Sequence, residues 1–109
     1  MGVVVKRFDV YLVALDPTMG AEMQKTRPCL IISPDDMNRY LATAIVAPMT
    51  SRGKNYPTRV ACRFQRKDGQ VLLDQIRTID QARLIQRLGR ISTATQKAVF
   101  TVLADLFAV

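Results

Sequence analysis

Residues 58–74 read Thr-Arg-Val-Ala-Cys-Arg-Phe-Gln-Arg-Lys-Asp-Gly-Gln-Val-Leu-Leu-Asp, and this stretch decides the fold class. Apolar residues take every second position in its first half and basic or small residues take the positions between, namely Val60, Cys62 and Phe64 against Arg59, Ala61 and Arg63. This period of two predicts a strand over residues 58–65 with one apolar face and one basic face. Asp68-Gly69 is typical of a tight hairpin turn and predicts a second strand over Val71–Asp74.

Short apolar segments separated by turns surround this hairpin. Their content of Val, Ile, Leu and Tyr predicts strands at Phe8–Leu15, Cys29–Ser33 and Ala42–Pro48. A short helix is expected after Ser33, which can cap it, with Pro34 at the first helical position.

A second helix is predicted at the C-terminus. Thr93 and Gln96 have capping-box spacing. Apolar residues then recur at intervals of three and four as one stripe, at Val99, Val102, Leu103, Leu106 and Phe107. Many short strands with one closing helix predict a mainly β fold, a small and strongly bent barrel with a C-terminal α-helix, as a single domain over residues 1–109.

The composition limits the chemistry. The chain has 109 residues, a formal charge of +7 and no His. The missing His excludes a Ser–His–Asp triad, a pair of catalytic histidines and a His-based zinc site. Of the 16 cationic residues 11 are Arg, which is suited to bidentate phosphate contacts, so we expect a nucleic-acid partner.

Two further features indicate the compartment in which the protein acts. Cys29 and Cys62 lie 33 residues apart without a CxxC motif, which predicts buried, reduced cysteines. The segment Met1–Lys6 is too short for a signal peptide, and no apolar run reaches the length of a membrane span. We therefore expect a cytoplasmic protein that does not enter a membrane.

Four motifs occur in a fixed order along nearly the whole chain. A first segment, Asp9-Val10-Tyr11-Leu12-Val13, precedes them. The four motifs are Asp16-Pro17-Thr18-x-Gly20-x-Glu22, Arg27-Pro28 five residues after that Glu, Pro48-Met49-Thr50-Ser51, and Asp74-Gln75-Ile76-Arg77-Thr78-Ile79-Asp80. Together they resemble the MazF/PemK (Kid) family of toxins from type II toxin–antitoxin pairs. The resemblance implies an SH3-like β-barrel of the MazF/CcdB type that forms a homodimer.

The same resemblance implies an activity and its partners. Members are metal-independent endoribonucleases that cut single-stranded RNA and leave a 2′,3′-cyclic phosphate and a 5′-hydroxyl, with no cofactor. An acidic antitoxin that folds on binding neutralises them, and operator DNA is bound only through the toxin–antitoxin complex.

By position, Glu22, Arg27 and Thr50 match the catalytic residues of MazF-like members. Asp74 matches a base of Kid-like members, but the Arg and His that accompany it there are Leu72 and Ala21 here. We therefore favour the MazF-like set, with Asp74 as a possible catalytic residue. With no His, a carboxylate must accept the 2′-hydroxyl proton, while Arg27 stabilises the phosphorane and Thr50 donates a hydrogen bond. On spacing alone, a surface ion pair between Glu22 and Arg27 stays open.

Further RNA-binding side chains are expected on the loops and on the basic strand face, at Thr18, Lys25, Thr26, Ser51, Arg52, Lys54, Tyr56, Arg59, Arg63, Gln75 and Arg77. Tyr56 could stack a base, or it could pack on Pro57. The basic run over residues 52–67 could follow an RNA backbone, or it could be a solvated basic face.

Two other classes of function remain open. A CcdB-like gyrase inhibitor on the same fold would need none of these side chains around a phosphate. A catalytically idle nucleic-acid-binding protein would use only the basic surface.

If the basic run follows an RNA backbone, binding must depend on salt. Each phosphate contact with a single strand releases counterions, and log K should fall with log[salt] by about 0.7 per contact. Titration of a single-stranded RNA at increasing NaCl measures this slope. An affinity that does not change with salt would contradict the prediction.

Overall fold

The computed structural model describes residues 4–109, and part of the N-terminal segment discussed above lies outside this range. The described residues form seven strands and two α-helices: β1 (Asp9–Ala14), β2 (Thr26–Ile31), α1 (Asp35–Tyr40), β3 (Thr43–Thr50), β4 (Arg59–Phe64), β5 (Lys67–Leu72), β6 (Arg77–Asp80), β7 (Leu84–Arg90) and α2 (Thr93–Phe107). Short 3-10 turns precede β6 and β7. The strands predicted near β1, β2, β3 and β4 are confirmed, and β6 and β7 were not predicted. The bounds Val71–Asp74 predicted for the next strand are wrong, since β5 ends at Leu72 and Leu73 and Asp74 lie in a 3-10 turn.

One curled antiparallel sheet contains all seven strands in the order β4-β5-β3-β2-β1-β7, with β6 beside β3. Strand β3 pairs with β2 along one edge. Its other edge pairs with β6 over Thr43–Val46 and with β5 at Met49 and Thr50. Because β3 divides this edge between two partners, the sheet bends there and closes toward a half-barrel.

The bend separates two apolar clusters. One contains Val10, Leu30, Val71 and Leu73 and receives α2 through buried Val99, with Val102 and Leu103 packed beside it. The other cluster, on the opposite face of the sheet, contains Val13, Leu15, Cys29 and Ile31. Of the predicted α2 stripe, Phe107 is not in the core, since it is 67% exposed near the end of the helix.

The predicted turn of the β4–β5 hairpin is wrong. The chain reverses at Gln65 and Arg66, both with positive φ, while Asp68 and Gly69 lie inside β5. A Cβ atom at Gly69 would lie 2.6 Å from the carbonyl oxygen of Thr50. This glycine therefore allows β5 to approach β3 closely and does not form the turn.

Both predicted helix caps are shifted. Ser33 does not cap α1, whose N-cap is Pro34. Instead, the Ser33 hydroxyl donates to Asn38 Oδ1 at 2.5 Å and accepts from the backbone of Ile45. At α2, the N-cap is Ser92, whose Oγ accepts a hydrogen bond from the Thr95 backbone at 3.2 Å.

A buried carboxylate ties the first strand to the last. Asp9 is 3% exposed, and Arg87 and Arg90 contact its Oδ1 at 3.2 and 3.3 Å. Because a buried carboxylate without a partner would be costly, these two arginines fix β7 against β1.

The position of the α2 cap can be tested by a pair of substitutions. Ser92→Ala removes the acceptor of the Thr95 amide and should lower the free energy of unfolding by about 1 kcal/mol. Thr93→Ala, in the first turn, should leave it within about 0.5 kcal/mol of wild type. Urea unfolding with an unchanged m-value measures both. The reverse ranking would show that Thr93 is the cap.

Candidate functional site

Strand pairing brings Arg27 and Thr50 to the same rim of the sheet. In the β2–β3 register Cys29 pairs with Pro48, so Arg27 and Thr50, each two residues further along, stand opposite one another. On its other side Thr50 pairs with Gln70 of β5. The expectation that these two strands are neighbours is confirmed.

The two residues line an open cavity of about 540 Å³. Its wall is formed by the β1–β2 loop, the β3–β4 loop and the start of β4, with Ala21, Met23, Ser51, Arg52, Gly53, Arg59, Leu72 and Gln75 as the other lining residues. Arg27 Nε donates to the carbonyl of Gln24 at 3.2 Å, and Thr50 Oγ1 accepts from the amide of Arg52 at 3.1 Å. Three arginines around one cavity favour an anionic ligand.

Glu22 lies in the β1–β2 loop beside this cavity and not in its wall. It lines an adjoining cavity of about 210 Å³, which shares Met23 and Gln75 with the larger one. One carboxylate oxygen accepts a hydrogen bond from the Met19 amide at 2.7 Å. Within residues 4–109 Glu22 forms no salt bridge with Arg27, so the hypothesis of a surface ion pair is wrong.

Asp74 is engaged by a neighbouring arginine. Arg59 Nε and Nη2 donate to its two carboxylate oxygens at 3.1 and 3.3 Å, and the Thr58 hydroxyl donates to Oδ1 at 3.3 Å. Burial opposes the charged form of Asp74, but the hydrogen bonds from Arg59, its own backbone and Thr58, with the charge of Arg59, outweigh burial and lower its pKa. A carboxylate held ionised in this way is a weak proton acceptor.

The basic run over residues 52–67 divides into paired and free cations. Arg59 is bound to Asp74, and Arg63 is bound to Asp68 at 3.0 Å. Arg52 and Lys54 are exposed on the β3–β4 loop. The Arg59 guanidinium lies over the ring of Tyr56, with its central carbon 4.8 Å from the ring centroid. The Tyr56 side chain remains half exposed.

The remaining predicted RNA-binding residues surround the two cavities or lie on the loops beside them. Gln75 accepts from the Met23 amide at 3.0 Å and lines both cavities, and Arg77 donates to the Leu15 carbonyl and lines the smaller one. Ser51 lines the larger one. Thr18 is half-buried, while Lys25 and Thr26 are exposed.

Sequence reasoning missed the residues that support the β3–β4 loop. Gln70 is 8% exposed, and its Nε2 donates to Asn55 Oδ1 at 2.7 Å. No local pattern marks this contact, because the two residues lie on different elements. The glycine at position 53, inside a basic run, was the one available signal of a tight backbone approach.

The cysteines and the acidic residues form no metal centre in the part of the chain that is described. Among residues 4–109 no three His, Cys, Asp or Glu side chains gather. Cys29 and Cys62 are free thiols, and burial raises the pKa of Cys29 to about 12. Cys62 is half-buried, not fully buried as predicted. Over the same residues no helix is long and apolar enough to cross a membrane.

This fold is that of the MazF toxins. The structure matches MazF from Deinococcus radiodurans with a TM-score of 0.87 at 26% identity, covering 99% of this chain and 100% of that one. The chain itself belongs to the family described as PemK-like, MazF-like toxin of type II toxin–antitoxin system, whose model matches residues 6–107. The resemblance read from the motifs and the predicted fold class are both confirmed.

Two further relatives are an endoribonuclease and an endoribonuclease bound to its antitoxin. The chain is 42% identical over 91 residues to Endoribonuclease EndoA of Bacillus subtilis (strain 168), covering 78% of each protein. It also matches an endoribonuclease in complex with its cognate antitoxin from a mycobacterial species, with a TM-score of 0.82 at 27% identity, covering 96% of each chain.

The Asp74–Arg59 pair links stability to pH. Because the pKa of Asp74 is lowered in the folded protein, the contribution of the pair to folding stability is complete above the ordinary pKa of 3.8. This contribution is lost as the pH falls through the lower pKa of the folded state. Asp74→Asn should therefore cost on the order of 1 kcal/mol at neutral pH, and the difference from wild type should shrink below that value.

The matched control is Asp68→Asn, which breaks a pair whose Asp is 84% exposed. We expect it to change stability by less than about 0.5 kcal/mol at every pH. Urea unfolding across the acid range measures both variants. If the loss of stability caused by Asp74→Asn does not depend on pH, the carboxylate charge of Asp74 contributes nothing to stability.

Proposed function

We propose that this chain is a metal-independent, sequence-specific endoribonuclease toxin that cuts single-stranded RNA and leaves 2′,3′-cyclic phosphate and 5′-hydroxyl ends. The observation that carries the proposal is the convergence of Arg27 and Thr50 on one open cavity, with Glu22 in the cavity that adjoins it. Membership of the toxin family and similarity to Endoribonuclease EndoA support the same activity.

The reaction needs a proton acceptor, alignment and charge stabilisation. The 2′-oxygen bonds to phosphorus while the bond from phosphorus to the 5′-oxygen breaks. Glu22 takes the 2′-hydroxyl proton, a water protonates the departing 5′-oxygen, and Glu22 then returns its proton to solvent. Arg27 and Thr50 bind the phosphate oxygens, on which charge develops.

The contacts at the two acidic residues favour Glu22 over Asp74 as the base. The Met19 amide donates a hydrogen bond to Glu22 Oε1, which orients the carboxylate and leaves Oε2 as a proton acceptor. Both oxygens of Asp74 are engaged by Arg59. Asp74 therefore has a positioning role in this proposal.

RNA selection is assigned to the loops around the cavity. Ser51, Arg52 and Gln75 line the larger cavity. On the same β3–β4 loop, the half-exposed ring of Tyr56 offers a stacking surface and Lys54 is exposed. Lys25, Thr26 and Thr18 lie on or beside the β1–β2 loop, with Arg77 in the smaller cavity. Arg59 and Arg63 extend the basic surface along β4.

The proposed partners are a second copy of the chain and an acidic antitoxin. A charge of +7 favours association with an acidic chain that folds on binding. The mycobacterial relative in complex with its antitoxin supports such a partner. We propose that the protein acts in the cytoplasm and reaches operator DNA only within the toxin–antitoxin complex.

Incubation with a mixed single-stranded RNA in the presence of EDTA tests the activity. We expect defined cuts that end in a cyclic phosphate. Arg27→Ala removes the main cation at the scissile phosphate and should slow cleavage about 10²–10³-fold. Lys97→Ala, an exposed cation on α2 away from both cavities, is the charge-matched control and should cut at the wild-type rate.

Each other outcome contradicts the proposal in a distinct way. Cleavage that requires a divalent cation would exclude the metal-independent reaction. Inhibition of gyrase supercoiling without cuts would indicate the CcdB-like class. Salt-sensitive RNA binding with neither activity would indicate a catalytically idle binding protein.

A further inference from the structure

The β3–β4 loop, residues 51–58, is fastened to the barrel by three side chains that lie outside it. Asp74 accepts a hydrogen bond from the Thr58 hydroxyl at the end of the loop, at 3.3 Å. Arg59, at the start of β4, lies over the Tyr56 ring at 4.8 Å. Gln70, on β5, donates to Asn55 Oδ1 at 2.7 Å. Since the loop has no regular structure of its own, these contacts determine where it lies beside the cavity.

The backbone at Gly53 is pressed against two of these side chains. A Cβ atom there would lie 3.1 Å from Gln70 Oε1 and 3.3 Å from Arg59 Nη1, and the residue has a φ of +126°. Gly53 also lines the larger cavity. Movement of Arg59 or Gln70 would therefore change the shape of the cavity rim.

Asp74 is what fixes Arg59. The guanidinium makes two hydrogen bonds to the two carboxylate oxygens, and its side chain is only 16% exposed. This geometry suits the planar fork of arginine and cannot be reproduced by lysine. One face of the fixed guanidinium remains available to the Tyr56 ring, in a cation–π contact.

We propose that Asp74 and Arg59 are positioning residues that preset the β3–β4 loop, and with it the choice of RNA bases, through the stack Asp74–Arg59–Tyr56. This inference rests on the proposed function, because the loop is assigned to RNA there. It gives Asp74 a role without contact to the reacting atoms. The carboxylate holds the guanidinium, and the guanidinium holds the ring. The ring belongs to the same short loop as Ser51, Arg52 and Gly53, which line the cavity.

Loop order can be measured without any activity. The chain contains no Trp, so Tyr56→Trp introduces a single Trp, which can be excited selectively over the two remaining Tyr and preserves the cation–π contact. In this background Asp74→Asn should lower the anisotropy and raise acrylamide quenching by about twofold or more, because the stack loosens. Arg59→Lys, which keeps the charge and loses the fork, should do the same.

Asp68→Asn is the matched control for this measurement. It breaks a pair of similar length, Arg63–Asp68 at 3.0 Å, on the same hairpin and remote from Tyr56 in the sequence. We expect its fluorescence to equal that of the Tyr56→Trp parent. Circular dichroism confirms that each variant is folded. If Asp74→Asn and Arg59→Lys both leave the fluorophore as ordered as in the parent, the proposed stack is wrong.

Cleavage then distinguishes positioning from direct catalysis. If Asp74 acts by positioning the loop, Asp74→Asn should raise KM more than it lowers kcat, and the variant should also cut at further RNA sequences. Because Asp74 and Arg59 act through one contact, adding Arg59→Ala should cost no more than about twofold beyond the worse single variant.

If Asp74 were instead the base, Asp74→Asn would lower kcat by about 10²–10⁴ at every site and remove the acid limb of the pH profile, with loop order unchanged. That result would overturn the inference and the assignment of Glu22 as the base, while leaving the proposed ribonuclease activity itself intact. A wild-type chain that cuts no RNA would overturn the ribonuclease proposal, and the fluorescence of the variants would still decide whether the stack orders the loop.

Discussion

The position of strand β3 between its neighbours is the constraint on which the site depends. Antiparallel pairing with β2 sets Arg27 opposite Thr50, and pairing with β5 sets Thr50 opposite Gln70. The second pairing requires a residue without a side chain at position 69, because the Thr50 carbonyl occupies the space of a Cβ. The cavity, its cationic wall and the support of its loop thus all follow from one register.

The two candidate carboxylates differ in their surroundings more than in their chemistry. Glu22 is oriented by a backbone amide on an exposed loop, whereas Asp74 is held by a guanidinium on both oxygens. A group with a free acceptor site at a cavity can take a proton, and a group enclosed by donors is better suited to hold another side chain in place. The same functional group, a carboxylate, can therefore serve either to accept a proton or to hold another side chain in place, depending on its partners.

Local patterns were sufficient for strands β1 to β4 and for the presence of both helices, because hydrophobic period and turn residues are encoded over a few residues. They were insufficient where a residue serves a distant neighbour. Gly69 has the local sequence of a turn but was selected by a contact with β3, and Ser33 has that of a cap but bonds to Asn38 and Ile45. The partners of Asp74 are 15 and 16 residues away, and no spacing rule links them.

Arg27 and Thr50 belong to hydrogen-bonded strands, whereas Gly53 and Tyr56 belong to a connecting segment held from outside. Exchange of residues within that segment leaves the sheet, with Arg27 and Thr50 on it, undisturbed. Under the proposed function, an ancestral scaffold of this kind can acquire new targets during evolution through a few changes in one short segment, while its cutting chemistry is inherited unaltered.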